Sequence, residues 1–293
     1  MEDAIRKAEV LIEALSYIRT FRNRLTVIKL GGSVMEDPQA LTATLLDVVF
    51  METVGMRPIL VHGGGKSIDR AMDRAGLQAR KIHGRRYTDE ATLEIVVKVL
   101  ADEINNGIVS QIRKLGGRAM GMFAGSLQCL FGEKLLLGQS GKEPIDLGWV
   151  GRVTRVEGDL LETLCLAGVV PVIPSLVHDE NGRWLNVNAD TAAAAVAANL
   201  KAEKLVLLTD TPGILLDRKN EDSLLRSLDP QRCQELINQG IIAQGMIPKV
   251  EACLESLKAG VRKTHMIDGR KKHSLLLEIY TDRGSGTEIS IGS

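Results

Sequence analysis

Apolar and polar residues follow two periods along the chain, which predict short buried strands separated by helices. The strand-length apolar runs are TVIKL, RPILVH, RAMGMF, VVPVIP, KLVLLTD and KTHMID. Helical spacing fits the stretches between them: a helix from about Lys66, a long helix from Ala91 towards Leu115, and helices over 161–168, 191–200, 231–238 and 248–259. This alternation predicts a three-layer α/β fold, in which helices cover both faces of a mostly parallel sheet.

Two local patterns refine this outline. Asn181-Gly182 lies between extended runs, which predicts a tight hairpin turn. A final pair of extended pieces is expected after residue 268. A division into lobes is expected near Lys201, where a new β-α series begins. The expected units are an N-terminal helix (1–23), a first lobe (24–201) and a second lobe (202–293).

The N-terminus has the pattern of an amphipathic helix ahead of the main body. Its apolar positions recur at helical spacing: Ile5, Ala8, Ile12, Leu15 and Ile18. The pattern leaves two alternatives open, because such a helix could pack against its own chain or dock on another subunit.

Composition and charge narrow the function classes. The chain has 293 residues, 44% of them hydrophobic, and its 37 basic residues balance its 37 acidic ones. This balance disfavours nucleic acid and anionic membranes as partners. The four cysteines form no CxxC motif, so neither a disulfide framework nor a metal site is indicated. No apolar run approaches the roughly 20 residues that span a bilayer, and a cytoplasmic location is expected.

Two glycine clusters directly follow predicted strands, namely KLGGS (29–33) and HGGGK (62–66). Glycine lets the backbone approach a ligand closely and turn its N–H groups towards an anion. The second cluster contains the Gly-Lys-Ser that ends a Walker A loop, but Leu60 occupies the position of its first glycine. The sequence therefore predicts oxyanion-binding loops that are not P-loops; tight strand-to-helix turns are the alternative.

Three charged residues are further candidates, and the two lysines among them each stand beside a glycine-bearing turn. Lys29 ends a buried strand, Lys249 lies in the first turn of a helix, and Asp190 begins the alanine-rich helix. Two lysines could reach a migrating phosphoryl group from separate sides, with the carboxylate fixing their ammonium groups. The alternative for a lysine at the end of a strand is a solvated tip.

The motifs KLGG, VHGGG, GRRYTD, LNVNAD, KLVLLTDTPGIL, GMIPKVEACLESLKAGV and HMIDGR follow one another from Lys29 to Arg270. In this order they resemble the amino-acid kinase family, and within it the branch that phosphorylates the γ-carboxylate of N-acetyl-L-glutamate in arginine biosynthesis. The resemblance implies the fold of that family, ATP as phosphoryl donor, and Mg²⁺ bound through the nucleotide.

The resemblance also implies roles for single residues. Lys29 and Lys249 match the phosphate-binding lysines, and Asp190 matches the carboxylate that organises them. The matching substrate-binding residues are Gly32, Gly64, Gly65, Arg86, Asn186 and Asn188, with Arg86 on the α-carboxylate and the two asparagines by the acetamido group. The matching nucleotide-binding residues are Thr209, Asp210, Gly213, Gly245 and Met246.

The implied chemistry needs no general base, since a side-chain carboxylate with a pKa of about 4 is already ionised at neutral pH. His62 is accordingly expected to be a structural loop residue and not an acid or base.

Family members inhibited by arginine share an N-terminal helix and a tail that this chain also has. By resemblance, Tyr17, His265, Glu278 and Gly286 would line an arginine site, with Glu278 pairing the effector's cation. The N-terminal helix would interlace dimers into a hexamer. Docking of a PII-type nitrogen-signalling protein is left open.

Several positions depart from the family pattern. GMFAGSLQC lacks the usual Gly-Lys-Asp, Arg85 replaces a hydrophobic residue, Lys66-Ser67 replaces Pro-Gln, and Gln244 replaces glycine. Two alternatives therefore stay open: a kinase for another N-acylated acidic amino acid, and a non-catalytic arginine-sensing module. The retained lysines and Asp190, and a chain that ends at Ser293 without an acetyltransferase domain, are expected to disfavour the sensor.

Overall fold

The computed structural model describes residues 1–82, 84–123, 127–138, 144–242, 245–281 and 284–292. Its helices are α1 (Glu2–Phe21), α2 (Gly32–Glu36), α3 (Pro38–Thr53), α4 (Gly65–Arg74), α5 (Glu90–Val97), α6 (Asn106–Lys114), α7 (Gly158–Leu166), α8 (Ala189–Asn199), α9 (Pro230–Asn238), α10 (Ile247–Lys258) and α11 (Ser274–Ile279). A π-helix (Lys98–Asn105) joins α5 to α6, and Glu221–Ser223 forms a 3₁₀ turn.

The strands are β1 (Leu25–Leu30), β2 (Arg57–His62), β3 (Lys81–Ile82), β4 (Arg85–Arg86), β5 (Ala119–Gly121), β6 (Leu130–Leu137), β7 (Ile145–Val156), β8 (Val170–Pro174), β9 (Leu176–His178), β10 (Trp184–Asn186), β11 (Lys204–Thr209), β12 (Ser227–Leu228), β13 (Lys263–Asp268) and β14 (Thr287–Ser290). Each of the six apolar runs that predicted a strand contributes one to the main sheet.

The main sheet has eight strands in the order β12-β14-β13-β11-β1-β2-β8-β5. Its pairs are parallel except β13 with β14. The predicted mostly parallel α/β sheet is confirmed. Strands β1 and β11 are direct neighbours, with Thr26 opposite Lys204, so the sheet runs without a break across the expected lobe boundary near Lys201. The motif-bearing turns after β1, β2 and β11 therefore meet at one edge.

Alternate residues of the central strands fill two hydrophobic cores, one on each face of the sheet. Val27 points into the core under α7, α8 and α10, whereas its neighbour Ile28 points into the core under α3, α6 and α11. Both side chains are fully buried. Because both faces are covered, these strands are mostly apolar and do not alternate between apolar and polar residues.

A smaller closed sheet of β10, β7, β6 and β9 stands beside the main one. The sequence pattern did not predict its long β6–β7 hairpin. Glycine permits the close approach there, because a Cβ on Gly132 would lie 2.1 Å from the carbonyl oxygen of Arg152. The predicted turn at Asn181-Gly182 is confirmed: it joins the antiparallel strands β9 and β10, and Gly182 adopts φ +75°.

Two expectations need correction. Only β14 of the expected pair of extended pieces is a strand, because Leu275 and Ile279, one helical turn apart, are buried on helix α11. The predicted long helix over 91–115 is helical without a gap from Glu90 to Lys114, but it has the π-helix in its middle.

Helix α1 leaves its apolar side chains in solvent. Val10, Leu11 and Ile12 are 59–70% exposed, and contact with the body is made near the helix end, where Tyr17 stacks edge-on against Tyr280. Packing of the whole helix along its own chain is therefore not observed. Within the described residues, no helix is long and apolar enough to cross a membrane.

Candidate functional site

A cavity of about 290 Å³ opens at the edge of the sheet where β1 and β2 end. It is lined by both glycine clusters, the β3–β4 hairpin, the end of β10 and the start of α8. Its lining residues include Lys29, Gly32, Gly63, Gly64, Gly65, Lys81, Arg85, Arg86, Ser175, Asn186, Asn188, Asp190 and Lys249. The structure thus brings the three predicted charged residues and all six predicted substrate-binding residues to one cavity.

The three charged residues form a compact cluster, which we call the Lys29–Asp190–Lys249 cluster. Nζ of Lys29 lies 2.9 Å from Oδ1 of Asp190. Nζ of Lys249 donates a hydrogen bond to Oδ2 of the same carboxylate at 2.7 Å. One carboxylate therefore holds two ammonium groups at the wall of the cavity.

Burial and charge oppose each other in this cluster. Burial disfavours the ionised carboxylate of Asp190, but the two ammonium groups outweigh it and lower its pKa to about 2. Burial lowers the pKa of Lys29, and the charge of Asp190 opposes that shift. Two cations with one anion leave a net positive charge, which suits a site for an anion.

Local sequence explains how Asp190 is placed. Asn188 caps helix α8, and its Oδ1 accepts hydrogen bonds from the backbone N–H groups of Asp190 and Thr191 at 2.9 and 3.1 Å. Asp190 thus lies in the first turn, where the helix dipole favours a negative charge. Asn188 therefore contributes a cap to the site as well as part of the cavity wall.

Arg86 reaches the cavity from strand β4 and is held from behind. Its Nη2 donates to the Gly65 carbonyl at 3.1 Å and to Oδ1 of Asp69 at 2.5 Å. The buried hydroxyl of Thr88 donates to the Arg86 carbonyl and accepts from Nδ2 of Asn186 at 3.2 Å. Arg86 and Asn186 are thereby connected through one side chain.

A second cavity, of about 430 Å³, lies beside the first, and Lys249 lines both. Its wall includes four of the five predicted nucleotide-binding residues, Asp210, Gly213, Gly245 and Met246. The fifth, Thr209, is buried below it, where its hydroxyl donates to the carbonyl of Thr211. Apolar side chains of Ile214, Ile241 and Ile242 complete one side.

His62 is fully buried and does not line either cavity. Its Nδ1 lies 3.0 Å from the Gly63 carbonyl oxygen, and its Nε2 lies 3.0 Å from Nδ2 of Asn105. Burial lowers the pKa of His62 to about 4, so the ring is neutral near pH 7. These contacts fit the expected structural role.

Three of the four residues expected at an arginine site meet where β13, α11 and the segment before β14 come together. Nδ1 of His265 donates to Oε1 of Glu278 at 2.8 Å, and the Gly286 N–H donates to Oε2 at 2.9 Å. Burial opposes ionisation of Glu278, but His265 and the backbone donors lower its pKa to about 2. Tyr17 packs on Tyr280, which follows Glu278 by two residues in the chain.

Sequence reasoning missed some residues of the site. Lys81 and Ser175 line the first cavity, and Asp69 pairs with Arg86, but none lies in a glycine-rich motif. Arg85, singled out as a departure, also lines this cavity. Gln244 and residues 124–126 of GMFAGSLQC lie outside the described residues.

Comparison with known proteins agrees with this architecture. Residues 24–268 match the model of the amino acid kinase family. An acetylglutamate kinase of Heliobacterium modesticaldum is 45% identical over 293 residues, covering 99% of each chain. One of Synechocystis sp. is 44% identical over 288 residues, covering 98% of this chain and 95% of the relative.

Solved structures give the same result. The N-acetylglutamate synthase of Neisseria gonorrhoeae, in complex with coenzyme A and N-acetylglutamate, superposes with a TM-score of 0.85 at 25% identity; the match covers 97% of this chain but 63% of that one. Carbamate kinase of Giardia lamblia, bound to AMP-PNP, shares the fold with a TM-score of 0.64 at 15% identity, over 92% of this chain and 98% of that one. The chain belongs to the amino acid kinase family.

Proposed function

We propose that this protein is an acetylglutamate kinase, which transfers the γ-phosphoryl group of ATP to the γ-carboxylate of N-acetyl-L-glutamate. The product is an acyl phosphate, N-acetyl-L-glutamyl 5-phosphate, and the pathway is arginine biosynthesis. The names of the relatives that match nearly the whole chain support this substrate.

The observation that carries the proposal is the position of the Lys29–Asp190–Lys249 cluster. Lys249 lines both cavities, and Asp190 holds it opposite Lys29. A phosphoryl group passing from the second cavity to the first would move between two ammonium groups whose positions are already fixed. Fixed charges of this kind stabilise the charge that spreads over the phosphoryl oxygens in the transition state.

The acceptor fits the first cavity by charge. Arg86 would hold the α-carboxylate, and Asn186 and Asn188 would lie by the acetamido group. Gly32, Gly64 and Gly65 would present backbone donors to the acceptor and the phosphoryl group. No group has to remove a proton, because the attacking carboxylate is ionised at neutral pH.

ATP fits the second cavity, with the apolar side towards the base and Lys249 towards the phosphates. Among the residues that the structure describes, no group of three or more His, Cys, Asp or Glu side chains could hold a metal by itself. Mg²⁺ would be bound through the nucleotide phosphates, with Asp210 as the acidic residue in the same cavity, and would neutralise phosphate charge. In this assignment residues 24–201 bind the acceptor and residues 202–293 bind the nucleotide.

The protein would also be inhibited by arginine and assemble as a hexamer. The cluster of His265, Glu278 and Gly286 offers an ionised, buried carboxylate for a guanidinium group. The exposed apolar side chains of α1 favour its pairing with the same helix of a second copy. Titration calorimetry with arginine tests the first idea: Glu278→Gln should weaken binding at least tenfold, and equal affinity would reject the site.

A hydroxylamine trap for acyl phosphate tests the proposed reaction. The protein is incubated with Mg-ATP and a panel of acceptors led by N-acetyl-L-glutamate, with and without arginine. A hydroxamate with that acceptor, suppressed by arginine, is the expected result. A hydroxamate formed only with a different N-acylated acidic amino acid would identify that compound as the substrate. Arginine binding without any hydroxamate would favour a non-catalytic arginine sensor.

A further inference from the structure

Behind the wall of the first cavity lies a buried chain of polar groups that the proposed reaction does not use. It runs from Asn105, at the end of the π-helix, through His62 to the carbonyl of Gly63. Asn105 and His62 are both fully buried. π-Helices are uncommon and often occur at functional sites, so this placement of Asn105 calls for an explanation.

The hydrogen-bond partners determine which nitrogen of His62 carries its proton. The Val172 carbonyl can only accept, so the group of Asn105 that faces it at 2.9 Å must be the amide nitrogen. The same nitrogen lies 3.0 Å from Nε2 of His62, which must therefore accept. The proton of the neutral ring is left on Nδ1, which faces the Gly63 carbonyl, also an acceptor, at 3.0 Å.

This bond sets the direction of a peptide group at the cavity. In a trans peptide the C=O of Gly63 and the N–H of Gly64 point in opposite directions. Because the carbonyl is bound by a buried ring, the N–H is directed away from the interior. Gly64 lines the first cavity, and no partner for its N–H occurs among the backbone hydrogen bonds outside helices and strands in the described ranges.

The π-helix also fixes the Gly64 main chain by packing. A Cβ on Gly64 would lie 2.6 Å from Cδ1 of Ile104 and 2.7 Å from Cδ2 of Leu100, both of which belong to this helix. One element thus supports the glycine loop by contact and, through Asn105, by hydrogen bonding.

We propose that Asn105 and His62 are positioning residues, which hold His62 as the Nδ1–H tautomer so that the Gly64 N–H is presented to an anionic group of the bound acceptor. The inference rests on the proposed function for the identity of the acceptor. The tautomer itself does not depend on that function and can be measured separately.

The first experiment measures the tautomer by long-range ¹H–¹⁵N NMR of the histidine rings in the wild-type protein, with His62→Gln to assign the His62 signals. Protonated Nδ1 and bare Nε2 are expected between pH 6 and 8. Protonated Nε2 with bare Nδ1 would overturn the proposal, whether or not the protein has kinase activity.

The second experiment replaces the donor amide by a carboxylate in Asn105→Asp. The ring proton should move to Nε2, leaving bare Nδ1 against the Gly63 carbonyl, and the KM for N-acetyl-L-glutamate should rise about tenfold while the KM for ATP stays within twofold. The new carboxylate should also raise the pKa of His62 above its wild-type value of about 4, so lowering the pH from 8 to 5.5 should protonate the ring and shrink this rise in KM, because a protonated ring has N–H groups at both nitrogens.

Asn106→Asp is the matched control, since it makes the same chemical change at the adjacent, exposed residue. It should leave both KM values and their pH dependence unchanged. An Asn105→Asp protein that folds but shows a wild-type KM, or an increase that does not depend on pH, would overturn the positioning role. If this variant fails to fold, the tautomer of His62 measured in the wild-type protein still tests the proposal.

Discussion

Lys29 and Lys249, which are 220 residues apart in the sequence, contact the same carboxylate. One extends from the first strand of the sheet and the other from the first turn of α10, and their Nζ atoms lie 2.9 and 2.7 Å from the two oxygens of Asp190. Neither contact is local in sequence. The sheet order that places β1 next to β11, with α8 and α10 packed over it, is what creates the site.

Replacing Lys249 should remove catalysis without unfolding the protein. Its side chain is partly exposed and faces both cavities, so Lys249→Ala leaves no void in the core. We expect kcat to fall at least about 100-fold, as for other losses of a fixed transition-state charge. Lys258→Ala, on the exposed face of the same helix, is the control. Turnover within a few-fold of wild type in Lys249→Ala would refute its role.

Asp190 should stabilise the fold in a pH-dependent manner. Its folded pKa, about 2, is below its ordinary value, so its contribution is fully present above pH 4 and is lost as the pH falls through 2. About half of a total near 2 kcal/mol should be gone at pH 3. Urea unfolding of wild type and Asp190→Asn at pH 7, 5, 4 and 3 measures this. A stability difference that stays constant from pH 5 to 3 would contradict the assignment.

Adjacent glycines in the first cluster should respond differently to alanine. A Cβ on Gly31 would lie 2.2 Å from the carbonyl oxygen of Leu208, which is backbone and cannot move aside, so Gly31→Ala should lose about 2 kcal/mol or more. Gly32 has nothing within 4 Å of such an atom. Gly32→Ala should keep its stability but lose at least about tenfold in kcat/KM, because the methyl group enters the cavity. Thermal unfolding and kinetics of both variants separate the two roles.

The exposed side of α1 should matter for assembly and not for folding. Ile12 is 70% exposed, so Ile12→Asp removes little contact within the chain. We expect light scattering after size exclusion to show a smaller assembly than wild type, together with weaker inhibition by arginine. Arg6→Asp, on the other side of the helix, is the control. An unchanged mass for Ile12→Asp would mean that this face is not an interface; deletion of residues 1–22 should reproduce the smaller assembly.

The sequence predicted the parts of the molecule whose signal is local. Continuous apolar runs gave the central strands, and the glycine clusters after β1 and β2 marked the edge at which the cavity opens. Predicting the roles of Lys29, Lys249 and Asp190 also required the order of the motifs along the chain, because a lysine at the end of a strand has no periodic pattern that marks it.

The remaining parts depend on contacts between distant residues. The β6–β7 hairpin was missed because Gly132 and Gly151 interrupt the alternation of apolar and polar residues. The reason for these glycines is the close approach of neighbouring residues in the fold, which the sequence does not show. The hydrogen bond from Thr88 to Arg86 and the pairing of Asn105 with His62 could not be predicted from the sequence either. A buried Asn in an otherwise amphipathic helix is the one signal that could have directed attention to the π-helix.

The most direct test of the central claim asks which atom attacks the phosphoryl group. N-acetyl-L-glutamate labelled with ¹⁸O in its γ-carboxylate is incubated with Mg-ATP and hydroxylamine, and the released phosphate is examined by ³¹P NMR. Carboxylate attack places one label in the bond to phosphorus, and hydroxylamine then cleaves at the carbonyl carbon. We predict phosphate containing one ¹⁸O; phosphate without label would show that water and not the carboxylate is the acceptor, and would contradict the account.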